Sequence, residues 1–438
     1  MPCTPVVHGI SPSQPEQRNT RRSETVEPES PLTRRRVLLA TWGTTGDIAP
    51  YTGLATGLKD AGHDVTVVTS NRYADAFRQH GLGVHAMPLD QYEAAIGQLP
   101  TRRARTNNAR EMATVAARCL LEAASEGTDF LLAHPLLHPQ AALIGRGLGV
   151  PCIGTYTVSH AMMLPRLLAG NPRHRYRLAD SVVRMILSPI YKPGAAHLRR
   201  ELGLTPSAVE DLTLPTSRHS VRYGFGAPLL PRRLRFPASH QVVGAWRPRR
   251  AIDWQPDARL QEFLESGPAP VYFGFGSMRG INHDHLAHAI TGVVQRLGIR
   301  AVVQGGWAEL QSHGDDVLNI RDCPHDWLFP RIRAAVHHAG AGTTHACLQA
   351  ATPALPIPVA MDQPFWASRL HALGLTPTVI PHQQLTGANL TLALEQLLTD
   401  DRYRLRTDRI SRALRQQDGT AAILEEVARP LGSAHLTG

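Results

Sequence analysis

A run of small and polar residues in the C-terminal half of the chain is well suited to bind an anion. It follows the apolar segment Ala334–His337, which predicts a strand, and it precedes a predicted helix. The run contains His338, Gly340, Gly342, Thr343 and Thr344. Small residues let the backbone approach a ligand, and a helix N-terminus supplies unpaired N–H groups and a positive dipole end. An ordinary helix start leaves the flanking His338 unexplained, so the pattern predicts a phosphate-binding turn.

A carboxylate and a carboxamide stand side by side after the next predicted strand, Ala354–Val359. They are Asp362 and Gln363. One side chain only accepts hydrogen bonds and the other both donates and accepts, so together they can bind several hydroxyls of a polyol. This chemistry fits a sugar. The alternative is that Asp362 only caps the helix that follows.

Two successive series of strands and helices must position these residues. In the first series, the buried strands Val37–Ala40 and Val65–Thr69 flank a predicted helix at Ile48–Asp60, which is typical of a parallel sheet. The pattern continues with strands at Phe130–Leu132 and Val150–Tyr156. The second series has strands at Val271–Phe275, Ala301–Gln304, Val317–Ile320, Ala334–His337 and Ala354–Val359.

The domain organisation follows from these series. Residues 171–250 are rich in arginine and proline and predict a linker between two lobes. We expect a disordered tail over 1–33, a first Rossmann-like lobe over 34–235 and a second over 236–438, with the C-terminal helices packing back towards the first. Two doubly wound α/β lobes leave a cleft at the carboxyl ends of their sheets, where such folds bind ligands.

Composition excludes several classes of protein. The 438 residues are 42% hydrophobic, so the chain is neither disordered nor fibrous. The net charge of +10 is almost wholly arginine, which suits anion recognition or reflects genome composition. The arginine clusters lack the motifs of nucleic-acid binding, so no nucleic-acid partner is expected, whereas contact with a membrane surface stays open. Without a signal peptide or a long apolar stretch, the expected location is cytoplasmic.

The sequence gives little support for a metal site or a dinucleotide-binding site. The five cysteines are scattered without a CxxC pair, which argues against a disulfide framework or a structural zinc site. No Asp-x-Asp pair occurs, and the histidines between His283 and His288 fit a solvated surface, so no metal is expected. The Gly43–Gly46 turn lacks the G-x-G-x-x-G pattern of dinucleotide-binding sites, so we do not expect the chain to bind NAD.

The chain resembles the UDP-glycosyltransferase superfamily, the inverting nucleotide-sugar enzymes of GT-B fold. The resemblance is carried by HHAGAGTTHACLQAATPALPIPVAMDQPFW (337–366), GTTGDIAPYTGLATGLKDAGHDVTVVT (43–69), PVYFGFGSM (270–278) and CPHDWLFPR (323–331). The nearest subgroups are the sterol 3-β-glucosyltransferases and the bacterial glycosyltransferases of antibiotic and other natural-product aglycones. The implied fold is two Rossmann-like lobes that face a cleft.

The resemblance implies a sugar-donor site in the second lobe. His338 is similar to the histidine that contacts the diphosphate, with Gly340, Gly342, Thr343 and Thr344 as further donors. Ser277 resembles another diphosphate contact. Cys323 and Pro324 look like the wall that holds the nucleobase, and Asp362 and Gln363 like the ligands of the donor sugar. The family commonly has glycine where this chain has Ala339, a methyl group that slightly reshapes the turn.

Asp47 resembles the general base of the bacterial and sterol subgroups. Inverting transfer needs a base that takes the proton of the acceptor hydroxyl as it attacks the anomeric carbon. The alternative is that Asp47 caps the following helix, which would lower its pKa and weaken the base. The two roles are compatible.

The resemblance implies a hexosyltransferase that moves a sugar from UDP or dTDP to a hydroxyl of a hydrophobic small molecule. The acceptor would be a natural-product aglycone, a sterol or a lipid-like molecule. The nucleotide sugar is a co-substrate, and no further cofactor is expected. A sugar-nucleotide epimerase and a non-catalytic GT-B-like protein that binds and activates a partner are the rival interpretations.

Overall fold

Two parallel β-sheets, each covered by helices, make up the computed structural model. It describes residues 34–96, 98–164, 172–205, 219–276, 283–305 and 314–429. The expected tail over 1–33 lies outside the described residues. Both sheets belong to one compact unit that starts at Arg34. The predicted α/β class with two doubly wound sheets is confirmed.

The first sheet has seven strands in the order β3-β2-β1-β4-β5-β6-β7. They are β1 (Arg36–Ala40), β2 (Asp64–Ser70), β3 (Gly83–Met87), β4 (Phe130–Ala133), β5 (Cys152–Tyr156), β6 (Val221–Tyr223) and β7 (His240–Val242). The helices of this part are α1 (Thr45–Asp60), α2 (Ala74–Arg78), α3 (Asp90–Ala95), α4 (Arg102–Ser125), α5 (His138–Leu148) and α6 (Pro172–Glu201). Helices cover both faces, which is why the central strands are continuous apolar runs.

The second sheet has five strands in the order β10-β9-β8-β11-β12. They are β8 (Val271–Gly274), β9 (Ala301–Gln304), β10 (Val317–Ile320), β11 (Ala334–His337) and β12 (Ala354–Pro356). The helices are α7 (Ala258–Glu265), α8 (His283–Leu297), α9 (His325–Leu328), α10 (Ala341–Gln349), α11 (Gln363–Ala372), α12 (Gly387–Thr399), α13 (Asp401–Arg415) and α14 (Gly419–Ala428). None of the described helices combines the length and the apolar character that crossing a lipid bilayer requires.

The prediction that residues 171–250 form a linker is wrong for much of this range. It contains the 30-residue helix α6, which packs against α4, and the strands β6 and β7. Pro189 and Pro193 lie inside α6, and proline ordinarily indicates a break in a helix. Strand β7 pairs with β6, so the first sheet extends to Val242, beyond the expected lobe boundary at residue 235.

The C-terminal helix α14 packs on the first lobe. Its Ile423 and Val427 are buried in one cluster with Ile48 and Tyr51 of α1 and with Trp246. A buried ion pair of 2.9 Å joins Arg222 of β6 to Glu426 of α14, each side chain only 7% exposed. The last helix of the chain therefore belongs to the core that supports α1.

The two sheets share a further apolar core. Trp366 of α11 is fully buried and contacts Phe225 from the first lobe, with ring centroids 5.6 Å apart. His345 of α10 lies against the same indole; its Nε2 accepts a hydrogen bond of 3.0 Å from the Gly226 N–H. Its Nδ1 is 2.7 Å from the Ala341 carbonyl. The contact between the sheets is thus packed like a protein interior, which fixes the position of α10 relative to the first lobe.

Candidate active site

The switch points of the two sheets lie where the predicted site residues are found. In the first sheet, β1 lies between β2 and β4; in the second, β8 lies between β9 and β11. Parallel sheets of this kind bind ligands outside the carboxyl ends of the strands at such points. Asp47 follows β1, and His338 directly follows β11. Ser277, which follows β8, lies outside the described residues.

Asp47 sits in the first turn of α1, which begins three residues earlier than the sequence pattern predicts. Its Oδ2 accepts hydrogen bonds from the Thr44 N–H at 2.8 Å and from the Thr44 hydroxyl at 3.0 Å. The carboxylate therefore closes a capping box with Thr44. Asp47 is one-third exposed, so the cap leaves part of the carboxylate open to the cleft.

Gly43 makes room for this carboxylate. Its φ of 142° is outside the range that other residues prefer, and a Cβ at this position would lie 2.5 Å from Asp47 Oδ2. A side chain at Gly43 would displace the Asp47 carboxylate from its cap. Residue 43 must therefore be glycine if the Asp47 carboxylate is to keep this position.

His134 is a partner of Asp47 that sequence reasoning missed. It follows β4, the neighbour of β1, and its Nε2 lies 3.8 Å from Asp47 Oδ1. Its Nδ1 accepts the Leu136 N–H at 3.3 Å, which assigns the ring proton of the neutral form to Nε2, on the side of Asp47. The buried ring also packs edge-on against Tyr51. The sequence signal that could have identified His134 is its position as a polar residue directly after a buried strand.

The surroundings of Asp47 keep it ionised. Burial alone would raise its pKa, but the nearby His134 and the hydrogen bonds from Thr44 hold the pKa below its ordinary value. The carboxylate is therefore ready to accept a hydrogen bond at neutral pH, although capping weakens it as a base, as the sequence predicts.

The turn before α10 is held by His337, another residue without a predicted role. Its buried Nδ1 accepts the Ala339 N–H at 3.0 Å. Ala339 has a φ of 62°, in the left-handed region that favours glycine. Gly340 follows as the N-cap of α10, and a Cβ there would lie 2.5 Å from His338 Nε2. The turn therefore closes over the His338 ring only because residue 340 is glycine.

His338 is held in its neutral form. Burial lowers its pKa to about 4. Gly276, at the end of β8, packs on the ring: a Cβ there would lie 3.2 Å from His338 Cε1. A hydrogen bond with the Gly274 backbone opposes this fall in pKa. The neutral imidazole brings no charge, so favourable charge for an anion must come from the α10 N-terminus.

The N-termini of α1 and α10 lie close together. A Cβ on Gly342 would lie 3.6 Å from the carbonyl oxygen of Gly46. Thr343 is half-buried, whereas Thr344 is almost fully buried and its hydroxyl has no hydrogen-bond partner among the described residues. Two positive helix ends thus converge on the place where Asp47 stands, which is a suitable arrangement for an anionic ligand beside a carboxylate.

Asp362 and Gln363 lie at the same edge. Asp362 Oδ2 accepts the Trp366 indole N–H at 2.8 Å. Burial raises the pKa of Asp362 to about 6, and the Asp47 carboxylate adds to this rise. The two carboxylates are therefore close enough to interact. Gln363 Oε1 accepts the N–H groups of Val359 and Ala360 at 2.8 and 3.1 Å, so its amide oxygen is engaged by the preceding loop.

The expected nucleobase wall is well packed. Cys323 is buried, and burial raises its thiol pKa to about 12, so it is an unreactive packing residue. Pro324 is the N-cap of α9. His325 stacks on Phe329 with a centroid distance of 4.3 Å, and burial lowers its pKa to about 4.

The histidine-rich stretch near His283 does not form a cluster in its described part. His285 Nε2 lies 3.0 Å from the Leu385 carbonyl, and His288 Nδ1 lies 2.6 Å from the Asp284 carbonyl. These rings are engaged with the backbone.

Two protein families match separate parts of the chain. Residues 297–429 match the family described as erythromycin biosynthesis protein CIII-like, C-terminal domain, and residues 48–214 match the glycosyl transferase 4-like domain. A sterol 3-beta-glucosyltransferase of Arabidopsis thaliana is 27% identical over 91% of this chain and 66% of its own length. One of Candida albicans is 27% identical over 91% of this chain and 28% of its own length. The chain thus spans less than two thirds of these relatives.

Solved structures share the fold. The glycosyltransferase of kitacinnamycin aligns with a TM-score of 0.68 at 20% identity, covering 91% of this chain and 99% of the other. The glycosyltransferase VinC, in complex with dTDP, aligns with a TM-score of 0.63 at 18% identity, covering 90% of this chain and 99% of the other. The resemblance and the GT-B fold predicted from the sequence are confirmed.

Proposed function

We propose that this chain, a relative of the sterol glucosyltransferases with the GT-B fold, is itself an inverting glycosyltransferase. It transfers a hexose from a UDP- or dTDP-sugar to a hydroxyl of a hydrophobic small molecule. The observation that carries the proposal is the approach of the α1 and α10 N-termini, because it places the Asp47 carboxylate beside an anion-binding helix end. The names of the sterol glucosyltransferase relatives and the dTDP in the VinC structure support the substrate classes.

Asp47 acts as the general base. It takes the proton of the acceptor hydroxyl while that oxygen bonds to the anomeric carbon from the face opposite the diphosphate. The bond between the anomeric carbon and the diphosphate oxygen breaks, and the nucleoside diphosphate leaves with the bonding electrons. His134 is a positioning residue, because its Nε2 lies 3.8 Å from Asp47 Oδ1 and orients the carboxylate.

The α10 N-terminus receives the diphosphate. The N–H groups of its first turn and the neutral His338 ring would contact the diphosphate without a metal ion. Ser277, Thr343 and Thr344 complete the proposed diphosphate site. Asp362 and Gln363 bind the donor sugar, and the backbone at Cys323 and Pro324 holds the nucleobase. The acceptor binds on the side of the first sheet.

The decisive experiment measures the fate of the nucleotide sugar. UDP- and dTDP-hexoses are incubated with sterols and polyketide aglycones, and nucleoside diphosphate and glycoside are quantified. Release of UDP or dTDP that depends on the acceptor supports transfer. Isomerised donor without release supports an epimerase, and binding without either product supports a non-catalytic protein.

The substitution Asp47→Asn separates the proposed role of Asp47 as a base from its role as a helix cap. The amide oxygen of the new side chain can still accept from Thr44, so α1 should start normally, while the base is lost. Turnover is expected to fall by about 10²- to 10⁴-fold with nucleotide affinity nearly unchanged. His338→Ala should instead weaken calorimetric binding of UDP or dTDP. Unchanged turnover of the first variant removes Asp47 from the mechanism, and unchanged affinity of the second removes the His338 contact.

A further inference from the structure

A group of three side chains that can bind a metal ion lies outside the proposed active site. His85 is on the edge strand β3, and Cys119 and Glu122 are on α4, which packs against that strand. One nitrogen, one sulfur and one oxygen from these residues all lie within 4.8 Å of one another. The residues are far apart in the sequence, and the spacing of the cysteines gave no sign of the group.

We propose that His85, Cys119 and Glu122 bind one borderline-soft divalent cation, Zn²⁺, and that the ion ties β3 to α4. Imidazole, thiolate and carboxylate are the three ligand types that zinc takes in proteins. Three protein ligands leave the fourth position of a tetrahedral ion to water. The proposal concerns a site on the first lobe and does not depend on glycosyl transfer.

The distances fit this ion. Zinc bonds of about 2.0–2.3 Å place neighbouring ligand atoms about 3.3–3.8 Å apart in a tetrahedron. His85 Nε2 and Glu122 Oε2 are 3.8 Å apart. The other two separations are at most 4.8 Å, so small rotamer changes of the part-exposed His85 and the 65% exposed Glu122 would bring the three atoms to these distances.

The position of the group fits an ion that links β3 to α4. Cys119 is 8% exposed and belongs to the core under α4, whereas Glu122 faces solvent, so the ion would lie at the rim of the core with access from outside. The three ligands come from two elements, β3 and α4. β3 is an edge strand and, among the described strands, pairs only with β2, so a bridge to α4, which covers one face of this sheet, would attach it a second time.

Zinc binding to the untagged, full-length chain tests the proposal. Titration calorimetry with ZnCl₂ should give one equivalent, with a proton released to the buffer as the thiol is deprotonated. Co²⁺ should give a thiolate-to-metal charge-transfer band in the near ultraviolet. Cys119→Ser should remove this band and weaken Zn²⁺ at least about tenfold, as should Glu122→Gln, which avoids any change in the buried core.

His197→Ala is the matched control. His197 Nδ1 lies 3.8 Å from Glu201 Oε1, the same separation as in the proposed site, with similar exposure but no thiol in the group. The His197→Ala substitution should leave the zinc affinity and the cobalt charge-transfer band unchanged. Zinc should also raise the Tm of the wild type but not of Cys119→Ser. Binding that survives in both Cys119→Ser and Glu122→Gln, or the absence of a cobalt–thiolate band in the wild type, overturns the proposal.

Discussion

His134 Nε2 lies 3.8 Å from Asp47 Oδ1, and the two residues follow the adjacent strands β4 and β1. The pairing arises from the strand order alone, because β4 joins the sheet beside β1 at the switch point. One residue supplies a carboxylate and the other an N–H with a fixed direction. His134 therefore faces Oδ1 of the proposed base, whereas Thr44 holds Oδ2.

Replacing His134 tests this dependence. His134→Ala should lower kcat by about 10- to 100-fold with little change in the KM of the nucleotide sugar, because the carboxylate is present but misdirected. Since His134 lowers the pKa of Asp47, the basic form should also be lost at a higher pH in the variant. His134→Gln, whose amide N–H reaches a similar place, should recover part of kcat. Equal kcat in all three proteins would contradict the positioning role.

Trp366 tunes Asp362 through the hydrogen bond of 2.8 Å from its indole N–H. Trp366→Phe keeps an aromatic ring in the shared core but removes this bond, so the pKa of Asp362 should rise above about 6. The acid limb of the pH profile for turnover should move to higher pH. Trp246→Phe is the control, because that buried indole bonds to the Gly419 carbonyl and leaves Asp362 untouched. Coincident profiles for the two variants would disprove the coupling.

Acid should destabilise the protein through its buried histidines. Burial lowers the pKa of His325, His338 and His345 to about 4 and that of His337 well below its usual range. The unfolded chain therefore binds more protons as pH falls from about 6.5 towards 4, and each such residue costs up to about 1.4 kcal/mol of unfolding free energy per pH unit.

His337→Asn isolates one of these contributions. The asparagine side chain keeps an acceptor for the Ala339 N–H but does not titrate. Urea unfolding between pH 7.5 and 5 should show a shallower loss of stability for this variant than for the wild type. Parallel curves would mean that His337 does not contribute.

Met361 sits in a strained conformation beside Asp362. Its φ is 60° and its side chain is 57% exposed, so a glycine there would relieve about 1–2 kcal/mol of strain without emptying the core. Met361→Gly should therefore change the unfolding free energy by less than about 0.5 kcal/mol, or raise it, after the entropic cost of glycine. Met185→Gly, at a 68% exposed position inside α6, should cost about 1 kcal/mol. Equal losses in urea unfolding would argue against strain at Met361.

Local patterns predicted the elements that carry the candidate site. The apolar runs at Val37–Ala40 and Ala334–His337 coincide with β1 and β11, and the small residues after the second run do open a helix. These features depend on neighbours in the sequence. Helix α6 was missed because two prolines and many arginines hide its period.

The partners of the site residues depend on contacts that the sequence does not contain. His134 meets Asp47 only through strand order, and Gln363 turns its amide oxygen back to Val359 rather than leaving it free. The position of Asp47 in the sequence predicted that it could cap the helix. Its partial exposure and its closeness to Asp362 could be seen only in the folded structure.

The packing of α14 on α1 has a consequence for synthesis. The first lobe needs Ile423 and Val427 to bury the apolar face of the helix that carries Asp47. These residues come after the whole second sheet in the chain, so the first lobe cannot complete its core before that sheet has been synthesised. Every nascent chain therefore passes through a stage in which all strands of the second sheet have been made but the helix of the proposed base is only partly covered. A chain shortened before α14 would remain in that stage.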